Sequence, residues 1–364
     1  MFDRRLLTHL NWPLFICAAI LAAVGIVTIY SSTIESTAAV YQRQLYWLII
    51  GFTVMLLFLL VDYTRVEFLS YLLYGATVLL LVIVLVIGYS SSGAQRWIHL
   101  GFISFQPSEF AKIALVAALS KYLASRQIPR EGLNARGLVV PVALLAVPFL
   151  LIAKQPDLGT AMILALIFSS MVLFTKIQTR TLVGTFLLFL SIIPLTWHFL
   201  KDYQKARLLS FLNPAQDPFG MGYHLIQSKI AIGSGGFFGK GFLKGTQGQL
   251  MFLPEHHTDF IFSILAEEWG FIGSFAVIAV YLILIILGLN VAREARDKFG
   301  TFLAFGITSM LFWHIIINIG MVTGIFPVVG VPLPFLSYGG SFLVTVMVGI
   351  GILINVSMRR FLLR

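Results

Sequence analysis

Residues 251–274 read MFLPEHHTDFIFSILAEEWGFIGS, and the run stays apolar to about residue 288. A polar head of Glu255, His256, His257 and Asp259 leads directly into a helix-length hydrophobic stretch that itself carries Glu267 and Glu268. Four of the 15 acidic residues in this 364-residue chain are gathered here. Ionisable groups at membrane depth are costly and face a bundle interior or a wet cavity. The stretch therefore reads as a membrane span with proton-handling chemistry at its entrance.

The rest of the chain agrees. Hydrophobic residues make up 59% and charged residues 11%, against about 25% charged in ordinary globular chains. Ten apolar runs recur, at about 14–32, 45–61, 68–87, 104–123, 138–153, 158–175, 182–199, 260–288, 301–323 and 338–356. Such runs suit a hydrocarbon core of about 30 Å. The expectation is an all-α polytopic membrane protein of ten transmembrane helices. Residues 1–364 would form a single integral-membrane domain, with a long loop at 201–258 between helices 7 and 8. Cys17 is the only cysteine, so no disulfide framework exists. The first run follows Arg4 and Arg5 without a small-residue cleavage site and reads as a retained helix.

Basic residues orient the chain. With the N-terminus inside, the inner segments carry Arg4, Arg5, Arg65, Lys121, Arg126, Arg130, Arg136, Lys176, Arg180, Arg293, Arg296, Lys298, Arg359, Arg360 and Arg364. The short outer loops carry only Arg43, Arg96 and Lys154. This asymmetry predicts cytoplasmic termini and an outward-facing Asp259. It also explains the net charge of +10 without a nucleic-acid partner.

Several polar residues fall on the predicted outer side. Phe105-Gln-Pro-Ser-Glu-Phe-Ala-Lys112 is a helix start, with proline in the first turn and Glu109 and Lys112 one turn apart on one face. Gln155-Pro-Asp-Leu-Gly-Thr160 places Asp157 as an N-cap. Trp97 sits in a short loop after the third span, where an interfacial anchor is the ordinary role. Thr258 is the expected N-cap of the eighth span. Glu267, roughly 12 Å deeper at 1.5 Å per residue, is expected to bond a neighbouring helix.

The loop at 201–258 is far longer than an ordinary connection. Residues 223–232 have helical apolar spacing and suit the plane of a membrane, with loop phenylalanines at the interface and Lys240 and Lys244 near phosphate. Gly239-Lys240 is not a phosphate-binding loop, since Ser234 and Gly241 stand where that motif needs Gly and Ser or Thr. Residues 324–341 carry Pro327, Pro332 and Pro334 in apolar surroundings. That combination predicts irregular backbone packed inside protein.

Carboxylates near cations at a lipid–water boundary suit a substrate with a diphosphate head and a lipid tail. Cations such as Arg43, Lys112, Lys229 and Lys240 would stabilise a departing diphosphate, and a carboxylate would take a proton from an attacking hydroxyl. No cofactor is required by the sequence. A divalent cation, Mg²⁺ or Mn²⁺, held by His257 and Asp259 together with the diphosphate, stays open.

Four motifs carry a resemblance: Gln106-Pro-Ser-Glu109 with Lys112; Gln155-Pro-Asp-Leu-Gly-Thr160; Pro254-Glu-His-His-Thr-Asp-Phe-Ile-Phe262; and Gly330-Val-Pro-Leu-Pro-Phe-Leu-Ser-Tyr-Gly-Gly-Ser341. On these the chain resembles the SEDS family (shape, elongation, division and sporulation) over essentially its whole length. Ala266-Glu-Glu-Trp-Gly270 and the short tails resemble its elongation branch. The resemblance implies a peptidoglycan glycosyltransferase of the bacterial cytoplasmic (inner) membrane that polymerises lipid II. It implies Asp259 as the catalytic general base, Arg43, Lys112, Lys229 and Lys240 at the diphosphate, and Trp97, Glu109, Asp157, His257 and Ser337 around the cavity. Glu109 would hold Lys112, whose loss should hurt turnover more than expression. The implied partners are a class B penicillin-binding protein, a transpeptidase, and other proteins of the elongation complex. A lipid II flippase and a non-enzymatic scaffold for the transpeptidase are the competing expectations.

Overall fold

The structure is a computed structural model. It describes residues 10–34, 40–91, 94–100, 103–127, 129, 131–185, 187, 190–191, 202–214, 217, 220–246 and 257–361. In chain order its helices are α1 (Trp12–Thr33), α2 (Val40–Leu60), α3 (Tyr63–Ile87), α4 (Pro107–Ser125), α5 (Ala135–Lys154), α6 (Leu158–Leu173), α7 (Asp202–Leu212), α8 (Met221–Ser234), α9 (Ile261–Glu294), α10 (Lys298–Thr323) and α11 (Gly340–Met358). Seven of them, α1, α2, α3, α5, α9, α10 and α11, are long and apolar enough to cross a membrane. The chain is thus a nearly all-helical integral membrane protein. Helix α4 occupies the fourth expected span, and α6, of 16 residues, the sixth. The seventh, about 182–199, runs into residues 192–201, which lie outside the described residues.

The all-α expectation needs one correction. Strands β1 (Tyr89–Ser91), β2 (Ala94–Leu100) and β3 (Ile103–Phe105) form an antiparallel sheet of order β1-β2-β3 between α3 and α4. The sequence hides this sheet: β1 and β3 have three residues each, and β2, Ala-Gln-Arg-Trp-Ile-His-Leu, does not alternate strictly between apolar and polar.

Side-chain caps set many helix starts. Asn11, Asp62, Asn134, Asp157 and Asp297 each accept a bond from a backbone N–H in the first turn of α1, α3, α5, α6 and α10, satisfying donors that the helix itself leaves open. Helix α11 is the axis of the bundle: every residue from Ser341 to Met358 is buried, as befits a helix apolar on all sides. Helices α2 and α3, and α9 beyond Gly270, bury only one stripe, whereas α9 from Ile261 to Glu268 is buried all round. Exposed leucines and isoleucines such as Leu57, Leu72 and Leu282 cover their other faces, which lipid would solvate. At the chain's far end Asn355 donates to Phe58 O and Val61 O, and Arg359 pairs with Asp62 at 3.5 Å.

Helix α9 is broken. Gly270 has φ 65° and ψ −160°, a backbone that only glycine adopts without strain. The long loop fills the break. Lys240 N and Gly241 N donate to Glu267 O and Glu268 O, while Phe271 N and Ile272 N donate to Gly236 O and Phe237 O. These four bonds replace helical ones that the kink removes, which is what lets a break persist at this depth. Helix α8 packs on α9 and α10 through Leu225, Ser228 and Ala231, which are buried, and Ser228 Oγ lies 2.7 Å from Ser263 Oγ and donates to Val322 O at 2.7 Å. The expected membrane-plane helix is therefore bonded to the bundle along one face.

Candidate active site

Prolines 327, 332 and 334 each lack a backbone donor, so residues 324–339 cannot form a regular helix. Side chains hold the segment instead. Tyr281 Oη donates to Pro334 O. Ser337 Oγ accepts from Leu333 N at 2.8 Å and donates to Thr258 O at 2.6 Å. Tyr338 N donates to His257 O at 2.9 Å. From α2, buried Gln44 donates to Ser337 O at 3.2 Å and accepts from Gly339 N at 3.2 Å. Phe335, buried, takes a left-handed φ of 67°, a strain that the surrounding bonds sustain.

This segment grips the turn at 257–260 that carries Asp259. The N-cap of α9 is Phe260, without a side-chain cap bond; Thr258 does not cap the helix as expected, because the turn is pinned from outside it. Asp259 is half-buried. Its carboxylate lies over Gly330, where φ is +73° and a Cβ would stand 3.3 Å from Oδ2. Glycine is required there twice, by the backbone and by the carboxylate.

Beside the turn opens a cavity of about 670 Å³ lined by Arg43, Tyr46, Trp47 and Ile50 of α2, Trp97 and Ser104 of the sheet, and Thr258, Tyr338, Gly339 and Gly340. Asp259 adjoins this cavity through Thr258 and is not in its lining. Arg43 is exposed and makes no ion pair with a described residue. An open guanidinium, four aromatic side chains (Tyr46, Trp47, Trp97 and Tyr338) and a carboxylate on the rim can hold an anionic group, stack a sugar and take a proton from a hydroxyl.

The other expected site residues lie around the cavity rather than in it. Lys112 is buried; its Nζ donates to Glu109 Oε2 at 2.8 Å and lies 2.9 Å from His314 Nε2. His314 Nδ1 is 2.7 Å from Met310 O. A carbonyl only accepts and an ammonium only donates, so the ring is the neutral Nδ1–H tautomer and accepts from Lys112. Lys112 is thus enclosed between Glu109 and His314 and is not in the lining of the cavity. Asp157 caps α6 through Thr160 N (3.2 Å) and Thr160 Oγ1 (2.9 Å), accepts from Gln106 Nε2 at 3.4 Å and faces Arg96 at 3.8 Å. Arg96 also donates to Gln155 O at 3.3 Å and to Pro156 O. His257 is half-buried, with its ring 5.7 Å from that of Tyr338. Ser337 acts through its backbone clamp. Glu255 and His256 lie outside the described residues.

Lys240 and Glu267 pair with each other. Lys240 Nζ donates to Glu267 Oε1 at 2.6 Å, and Thr246 N and Oγ1 reach the same oxygen at 2.9 and 2.8 Å. The partner of Lys240 in the structure is therefore a buried carboxylate, and Lys240 is not in the lining of the cavity. Glu267 binds the loop, and Glu268 reaches α1, accepting from Ser31 Oγ. Lys229 is exposed on α8, with its ammonium end against Gly324 at the end of α10, and does not line the cavity.

Sequence reasoning missed Gln44, Arg96, His314, Asn318, Trp47 and Tyr338. The signal for His314 and Asn318 was present: two polar residues four apart in an otherwise apolar span of α10 mark a face turned to the bundle interior. Among the described residues no group of three or more His, Cys, Asp or Glu is arranged to hold a metal ion.

Comparisons with known proteins place the chain. A family model for the FtsW, RodA and SpoVE cell cycle proteins matches residues 11–361. The peptidoglycan glycosyltransferase MrdB of Escherichia coli is 47% identical over 292 residues, covering 80% of this chain and 78% of that one. The peptidoglycan glycosyltransferase RodA of Treponema pallidum is 33% identical, covering 98% and 99%. Among solved structures, a chain of a peptidoglycan synthase complex that coordinates polymerisation and crosslinking superposes with a TM-score of 0.85 at 32% identity, over 97% of this chain and 98% of that one. The rod shape determining protein RodA of Thermus thermophilus gives 0.73 at 30%, over 97% and 98%. A match that spans nearly every described element leaves one conclusion: the chain belongs to the FtsW/RodA/SpoVE family of cell cycle proteins.

Proposed function

We propose that this chain is a peptidoglycan glycosyltransferase of the rod-shape branch, which polymerises lipid II during cell elongation. The observation that carries this reading is the cavity of about 670 Å³ beside Asp259, lined by Arg43 and Trp97, in a chain similar along its length to named peptidoglycan glycosyltransferases. In the proposed reaction the 4-hydroxyl of an acceptor N-acetylglucosamine attacks the anomeric carbon of a donor N-acetylmuramic acid. The C–O bond to undecaprenyl diphosphate breaks on the opposite face, and the anomeric centre inverts. Asp259 takes the hydroxyl proton as the bond forms. Arg43 stabilises the charge that collects on the departing diphosphate. A divalent cation at this site would draw most of its ligands from diphosphate oxygens.

The proposal includes the topology: ten spans, both termini in the cytoplasm, and the cavity facing outward from the bacterial cytoplasmic membrane. The distribution of basic residues supports it. It also includes a class B penicillin-binding protein as partner, supported by the likeness to a chain of a peptidoglycan synthase complex. The test is strand formation by the purified chain, with its partner, on lipid II. Asp259→Ala should leave the fold intact and make no strands. An Asp259→Ala protein that polymerises at the wild-type rate would sink the mechanism, and a wild-type chain that makes no strands but moves lipid II across a bilayer would favour a flippase.

A further inference from the structure

Asn318 stands one turn from His314 along α10 and is fully buried. Its amide nitrogen donates to two carbonyl oxygens at once, Asp259 O at 2.9 Å and Val331 O at 2.7 Å. These carbonyls belong to the two non-helical backbones of the site, the turn that carries Asp259 and the proline-interrupted segment that underlies it. The amide oxygen has no hydrogen-bond partner among the described residues, so the side chain is held through its nitrogen alone. Gly330, next to Val331, is the floor of the Asp259 carboxylate, with room for no more than a 3.3 Å approach by a Cβ. Any sliding between the two backbones moves the carboxylate across that floor.

We infer that Asn318 is a positioning residue: by joining Asp259 O to Val331 O it fixes the register of Asp259 over Gly330, and so the direction in which the carboxylate meets the acceptor hydroxyl. The inference rests on the reading of Asp259 as general base. It differs from a stabilising role because the two bonds meet the backbone of the reacting residue and of its support. Loss of register should therefore appear in turnover before it appears in substrate binding.

The test compares Asn318→Asp, which keeps the shape but puts an acceptor oxygen in place of the one nitrogen that makes both donations, with the milder Asn318→Ser and with Gly330→Ala, which disturbs the same register from below. Each full-length protein is purified, its melting temperature recorded, and strand formation followed over a range of lipid II concentrations. Asn318→Asp and Gly330→Ala should lower kcat by about 100-fold, the scale of a misplacement of about 1 Å, with KM within about twofold of wild type. Asn318→Ser should fall between them and wild type. The proposal is overturned if folded Asn318→Asp keeps wild-type kcat. It is equally overturned if rate losses in Asn318→Ser and Gly330→Ala only follow the folded fraction or appear as a raised KM. If Asn318→Asp does not fold, those two milder variants decide alone. Wild type in the same assay separates the failures: strands with wild type and none with Asp259→Ala uphold the base, whatever Asn318 does.

Discussion

Lys240 Nζ donates to Glu267 Oε1 at 2.6 Å, so the long loop is bonded to α9 three residues before the break at Gly270. Glu267 is completely buried and Lys240 partly so. Lys240→Ala would remove the charged partner of a buried carboxylate that Thr246 also bonds, at a cost of about 2 kcal/mol. The expected result is a lower melting temperature and faster proteolysis within residues 236–246. Thermal unfolding of the purified protein checks it, and an unchanged melting temperature would mean that the pair contributes nothing.

Asp259→Glu tests geometry where Asp259→Ala tests chemistry. The longer side chain keeps the proton acceptor but cannot lie over Gly330 as aspartate does. Strand formation should drop about 100-fold, with lipid II binding retained. Single-turnover rates measured at saturating substrate distinguish this from a binding defect.

Arg43 is the cation that lines the cavity. Arg43→Ala should lower kcat/KM by about 100-fold, in the range of removing one donor from a site of developing charge. Arg43→Lys should recover only part, because an ammonium does not reproduce the fork of a guanidinium. Rates for the three proteins on lipid II settle the order, and Arg43→Ala at wild-type efficiency would remove Arg43 from the diphosphate.

Lys112 is enclosed with Glu109 and His314. Lys112→Ala strands a buried carboxylate and should cost about 3–5 kcal/mol of stability. Yield and melting temperature are therefore expected to fall with activity. Glu109→Gln combined with Lys112→Met, which removes both charges, should recover much of the stability. A well-folded Lys112→Ala protein that has lost only turnover would instead restore the cavity role expected from its sequence.

The spans were legible because a bilayer imposes length and apolarity on each helix separately, and a single run such as α11 displays both. The irregular segment at 324–339 was legible for the complementary reason, since three prolines in apolar surroundings leave few alternatives. Partnership was less legible. Lys240 looked like a diphosphate ligand because it is a cation in a glycine-rich loop, and nothing local reveals that Glu267, 27 residues later, takes its charge. Gln44 and Ser337 are 293 residues apart, and their bond exists only after the bundle has closed. The sheet at 89–105 is not legible because its outer strands have three residues each and its central strand lacks a strict apolar–polar alternation.

The loop-filled break in α9 bears on how related chains can be recombined. Residues 236–241 and residues 267–272 form one backbone fabric, so neither can be exchanged without the other. A chimera that swaps the loop alone would place foreign peptide groups against the open carbonyls of Glu267 and Glu268. Grafts that carry both stretches should transfer as a cassette, with Asp259 riding on the shorter half of the helix.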